Sequence, residues 1–215
     1  FKIYVFYNSF YKTFILYFGM ENFNLNHIHN FIWKRLSEGV KKSSSPFHLA
    51  NISTISLSGY PSSRTIVVRG IDKNKFKIFF NTDVRSNKWK ELKNNSQVTL
   101  HFYDNKLKTQ LRIFGETILH YKNNVWKKAW QNTSINSREC YSSPYSPSTY
   151  ISNPNIIDEA FNKLKKSELN EYDKNFGRVE INIKYIDWLF LKHSGHRRAK
   201  FIYKSDEIIS KWLAP

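Results

Sequence analysis

At 215 residues the chain is long enough for one generous domain with a core of its own. Its single cysteine, Cys140, excludes an intramolecular disulfide and a cysteine-based zinc site, and it points to a reducing compartment. The net charge of +17, from 34 Lys and Arg against 17 Asp and Glu, favours anionic partners such as phosphorylated small molecules, nucleic acid or a membrane surface.

Residues 1–19 are aromatic and apolar, but Asn8, Ser9, Lys12 and Thr13 interrupt them. No run reaches the roughly 20 residues that span a bilayer, so no membrane partner is expected. The only methionine, Met20, follows directly, and the domain is expected to occupy 20–215 with 1–19 as an apolar extension. Leu25, Ile28, Ile32 and Leu36 have helical spacing over 24–40, with Asn24 or Asn26 as the cap. Strands are expected at 47–58, 64–70 and 75–80, the last two joined by "IDKN". A further strand pair covers 96–103 and 109–120.

Helical spacing returns at Val125, Trp126, Ala129 and Trp130. The Ser/Pro/Tyr-rich stretch 142–154 breaks it. Asn153 and Pro154 then read as the cap and first turn of a helix that buries Ile156, Ile157, Ala160, Phe161 and Leu164. Strands at 177–191 and 199–203 flank "KHSGHRR". The sum is an α+β fold with a mostly antiparallel sheet, closed as a barrel.

The sequence has no GxGxxG, GxxxxGK[ST], HExxH or GxSxG. His27 with His29 and His193 with His196 lack acidic or cysteine companions at ligand spacing, so no metal is expected. One stretch does suggest chemistry. In "NTDVRSNKWKEL" (81–92) a strand ends and a short helix begins, with Thr82, Arg85, Ser86 and Lys88 at the junction. Fixed cations, hydroxyls and the N–H groups of a helix start are what a phosphate dianion needs.

The order of "SRTIVVRGID" (63–72), "FKIFFNTDVRSNKWKELKNNSQVTLHFY" (76–103), "LKTQLRIFGETI" (107–118) and the terminal "KWLAP" resembles the pyridoxamine 5′-phosphate oxidase family, the FMN-binding split β-barrels, and within it a less characterised branch. The resemblance implies FMN in a cleft between the subunits of a homodimer. Arg64 and the strand after it (Thr65, Ile66, Val67 and Arg69) would lie along the cofactor. Arg64, Ser86 and Lys88 would take the FMN phosphate, with Asn81, Thr82 and Arg85 beside them. Gln110, Phe190 and Lys200 would reach the flavin. Arg69, Arg138, His196 and Arg198 would meet a phosphorylated small-molecule substrate, with the flavin carrying the chemistry and no side chain needed as acid or base. The chain departs from the known oxidases at Asn81 (there Tyr), Asn87 (Arg), Phe190 (Trp) and Lys200 (Arg), and the order in "GHRR" is inverted.

The first reading is therefore an FMN-dependent oxidase of pyridoxamine or pyridoxine 5′-phosphate in the cytoplasm. The second is a flavoprotein of the same fold with another substrate. The third, a basic nucleic-acid-binding module, needs a contiguous basic face, and the lysines are dispersed instead, so no nucleic-acid partner is expected.

Overall fold

The computed structural model describes residues 24–164, 166–205 and 207–215. The expectation for residues 1–19 lies outside them. Helix α1 (Leu25–Lys41) opens at Asn24, whose Oδ1 accepts from the Asn26 N–H at 2.8 Å. It buries Ile28, Ile32, Trp33 and Leu36, the stripe its spacing calls for.

Among the described residues eight antiparallel strands follow: β1 (Leu49–Ile55), β2 (Pro61–Asp72), β3 (Lys77–Asp83), β4 (Gln97–Asp104), β5 (Thr109–His120), β6 (Phe176–Phe190), β7 (Arg197–Tyr203) and β8 (Ile208–Leu213). Helix α2 (Asn87–Asn94) links β3 to β4. Between β5 and β6 the chain makes an excursion through α3 (Asn124–Gln131), α4 (Ile135–Arg138), a 3₁₀ turn at Glu139–Tyr141, α5 (Asn155–Asn162) and a second 3₁₀ stretch, Lys166–Asn175.

Six of the strands close on themselves in the cycle β1–β2–β3–β6–β5–β4. The long β6 makes closure possible: its first half pairs with β3 and its second half with β7, while β5 runs along nearly its whole length. Alternation sends Ile52, Val68, Ile78, Phe80, Leu100, Leu111, Ile113, Val179 and Ile181 into one core. α1 packs on that core through His29 and Trp33, which share hydrogen bonds with the Tyr203 hydroxyl at 3.0 and 3.1 Å.

Two expectations are corrected, and one strand is added. The strand expected to end at Phe80 runs on to Asp83, because β6 supplies pairing partners through Phe176. The "KWLAP" segment contributes to a strand, β8, that its weak alternation hides. Helix α5 begins after Pro154, although Asn153 Oδ1 does accept from the Asn155 N–H at 2.9 Å, and none of its residues is fully buried. Phe161 is exposed there, because α5 lies on the outside of the excursion rather than against the barrel.

Candidate functional site

The barrel is split between β2 and β3. Their pairing runs from Asp72 and Lys77 back to Val68 and Phe80, across a bulge, and stops. Beyond it β2 pairs with β1 alone and β3 with β6 alone, so the two strands part. α2 starts in the gap. Its N-cap is Ser86, whose Oγ accepts from the Trp89 N–H at 3.4 Å and donates to the Asp83 carbonyl at 2.7 Å. Gly177 lets it sit there: a Cβ at that position would come within 2.6 Å of the buried Trp89 ring and 2.8 Å of Val84.

Arg64, Thr82, Ser86 and Lys88 meet in this gap. Lys88 Nζ donates to Thr82 Oγ1 at 2.6 Å, and that hydroxyl lies 3.4 Å from Ser86 Oγ. Burial, and then the charge of Arg64, lower the Lys88 pKa to about 8. Arg64 is fixed by three groups: it donates to Glu91 Oε2 at 2.8 Å, to Thr54 Oγ1 and to Ser62. Glu91 also accepts from Thr54 Oγ1 at 2.6 Å and is almost wholly buried. The result is two fixed cations and two hydroxyls converging where an oxyanion would be paired. That donor set fits a phosphate monoester. Glu91 went unnoticed in the sequence, although its spacing of three from Lys88 puts both on one helix face.

A second group lies on the outer face of the sheet. Gln110 stands opposite Leu189, and its Oε1 is 3.2 Å from His101 Nε2. Two positions along, Asp187 binds both Arg112 (2.7 Å) and Arg198 (3.1 and 2.7 Å). Burial alone would raise the Asp187 carboxyl, but these hydrogen bonds outweigh it and hold the pKa below the usual range. Lys200 Nζ sits 3.8 Å above the Tyr185 ring.

Phe190 is not on this face. Ile186, Trp188 and Phe190 alternate into the core, so Leu189 is the β6 side chain beside Gln110. The strand alternation carried that signal. Ile66 likewise points into the core and has only its backbone to offer a ligand, whereas Thr65 is exposed and Val67 half-buried.

His196, Arg197 and Arg198 line a cleft of about 370 Å³ with Trp212, Leu213 and Pro215. His196 Nδ1 accepts from the Lys192 N–H at 3.1 Å, and Arg197 curls back onto the Gly195 and His196 carbonyls.

Two expected site residues are engaged elsewhere. Arg85 folds onto Asp83 (2.6 Å) and the Ser143 carbonyl, away from Lys88. Arg138 ties the end of α3 to the excursion, donating to the carbonyls of Trp130 and Thr133 and to Asn170. Arg69 and Asn81 lie on the outer side of β2 and β3, next to Arg178. Among the described residues no group of three or more His, Cys, Asp or Glu is placed to hold a metal, and no helix is long and apolar enough to cross a membrane.

Residues 30–121, which include Arg64, Lys88 and Gln110, match the family described as pyridoxamine 5′-phosphate oxidase, FMN-binding domain. A pyridoxine/pyridoxamine 5′-phosphate oxidase 2 of Arabidopsis thaliana is 35% identical over 124 residues, 52% of this chain and 62% of that protein. A pyridoxine/pyridoxamine 5′-phosphate oxidase of Leptospira biflexa is 35% identical over 65 residues, 30% of each chain. The chain thus spans less than two thirds of these curated relatives. Two solved structures share the fold. A pyridoxamine 5′-phosphate oxidase-related, FMN-binding protein of Nostoc punctiforme has a TM-score of 0.71 at 21% identity, covering 86% of this chain and 96% of that one. PhzG of Burkholderia lata, in complex with tetrahydrophenazine-1-carboxylic acid, has a TM-score of 0.68 at 16% identity, covering 86% and 91%.

Proposed function

We propose, for a chain whose residues 30–121 match the pyridoxamine 5′-phosphate oxidase FMN-binding domain, that it is an FMN-dependent oxidase of pyridoxamine or pyridoxine 5′-phosphate that yields pyridoxal 5′-phosphate. The observation that carries the reading is the convergence of Arg64 and Lys88 on Thr82 and Ser86 in the split of the barrel. Those four side chains hold the FMN phosphate. The stretch of β2 without a partner on its β3 side, Arg64–Val67, runs along the cofactor, and Gln110 with Leu189 borders its ring. FMN held there would supply the redox chemistry of an oxidase. The chain's own residues bind and orient.

The substrate phosphate is assigned to the cations at the cleft, Arg198 first and His196 second. In a single chain Arg198 is turned onto Asp187 and the cleft is open on one side. A homodimer in which a second copy completes the site accounts for this, and the protein is placed in the cytoplasm. Domain extent is taken as 20–215.

The test is a spectrum and a turnover assay on purified protein. Flavin bands, release of FMN rather than FAD on denaturation, a dimer in sedimentation, and formation of pyridoxal 5′-phosphate with peroxide are expected. Flavin without turnover leaves the reading at a flavoprotein of another substrate. Colourless protein with steeply salt-dependent nucleic-acid binding would replace it altogether.

A further inference from the structure

In the reading above Gln110 borders the flavin ring, and what it offers there depends on which way its amide faces. A primary amide has an accepting end and a donating end, and a half turn exchanges them. The last torsion of a glutamine is broad, so the chain itself sets no preference. Leu189, straight across on β6, is apolar and can hold neither end. His101 on β4 can. It pairs with Arg112, which makes it the diagonal neighbour of Gln110, and its Nε2 is 3.2 Å from Gln110 Oε1. Oε1 only accepts, so Nε2 carries the proton and donates. The donating end of the amide is thereby turned away from His101.

Packing does not call for a histidine at this position. Leu100 and Phe102, on either side, are buried in the core, so alternation turns His101 outward onto the face that carries Gln110. β4 lies between β1 and β5, and His101 has a paired residue on each side, Asn51 and Arg112. The imidazole therefore stands on backbone pinned at both edges, a rigid mount for a polar contact. Arg112, the cation directly across from it, is turned toward Asp187 at 2.7 Å.

The polar edge of a flavin ring is rich in acceptors, and it gains negative charge on reduction. A donor fixed against that edge binds the reduced ring better than the oxidised one and raises its potential. We propose that His101 is a positioning residue for the flavin: it holds the Gln110 amide with its NH2 presented to the ring, and so tunes ring affinity and potential without touching the cofactor or the phosphate pocket. The proposal rests on the reading that Gln110 borders the ring.

The test titrates the full chain, stripped of flavin, with FMN and with riboflavin, and then measures the midpoint potential of the bound FMN. The variants are His101→Leu, His101→Gln, Gln110→Ala and the double variant of His101→Leu with Gln110→Ala. His101→Leu is expected to weaken both oxidised flavins by the same factor, about threefold, and reduced FMN about tenfold, the scale of one hydrogen bond. That difference is a fall of about 15 mV for a two-electron couple. The ratio of FMN to riboflavin affinity should not change. His101→Gln, which keeps an N–H donor at similar reach, should restore affinity and potential. In the Gln110→Ala background His101→Leu should change neither. In the flavin-free wild type, ¹⁵N NMR of the histidine rings should find the proton on Nε2 of His101. A bare Nε2 overturns the proposal, as does a His101→Leu effect that persists without Gln110 or that alters the FMN-to-riboflavin ratio. Flavin binding and potential that ignore His101 overturn it alone, whereas a wild type that binds neither flavin overturns it together with the reading it rests on.

Discussion

The pocket in the split and the cleft at the β7–β8 end both gather cations, but they are built differently. Arg64 and Lys88 are held by partners from four elements, β1, β2, β3 and α2, and Glu91 fixes Arg64 from below. At the cleft, Arg197 is engaged by the turn before β7 and Arg198 by Asp187, while Trp212 and Leu213 remain exposed. A single chain therefore finishes the first site and only begins the second. Tight, rigid pre-organisation suits a cofactor that stays, and an open edge suits a substrate that comes and goes or a second copy that closes it.

Substitutions can break that contrast. The largest effect belongs to the finished site. Lys88→Ala and Arg64→Ala should each weaken FMN binding by about 1.5–3 kcal/mol in a flavin fluorescence titration, the scale of a hydrogen bond to a charged group. Arg198→Ala should instead raise KM for a phosphorylated substrate about tenfold, or roughly 1.4 kcal/mol, and leave the flavin spectrum unchanged. If both variants act on flavin alike, the division between the two sites is wrong.

A gentler probe is pH. Lys88 in the free pocket titrates at about 8, and a bound phosphate dianion favours its protonated form. Above that pH, binding must take up a proton. FMN affinity should then be level just below pH 8 and fall above it, by up to about tenfold per unit, and the fall should vanish in Lys88→Met. The smallest effects sharpen the boundary. Lys73, which reaches Asn30, and Arg85, which is folded on Asp83, should change FMN affinity by less than about 0.5 kcal/mol when replaced by Ala.

The strands, the first helix and the strand-to-helix junction at Ser86 were legible because each is a local pattern: period two, period 3.6, or a hydroxyl cap before a helix. Ser86 as N-cap and the run Thr109–His120 as one strand are cases in point. What was hidden depends on partners distant in sequence. Arg85 and Lys88 look equivalent along the chain, yet Asp83 and Ser143 draw one away while Thr82 keeps the other. Arg178 acquires its setting only when β6 lies beside β3, 97 residues earlier. Phe190, read from a motif, turns into the core with Trp188, so Leu189 holds the outer position beside Gln110. Helix α5 has an apolar stripe that its sequence displays and the fold leaves half-exposed.

The central claim is that the Arg64–Lys88 pocket holds the phosphate of FMN. Titrating the flavin-free protein with FMN and with riboflavin isolates that group, since the two ligands differ by the phosphate alone. FMN should bind at least about a hundredfold more tightly, as two charge-assisted contacts require, and the difference should shrink to a few-fold in Lys88→Ala combined with Arg64→Ala. Equal affinity for the two flavins in the wild type would contradict the claim.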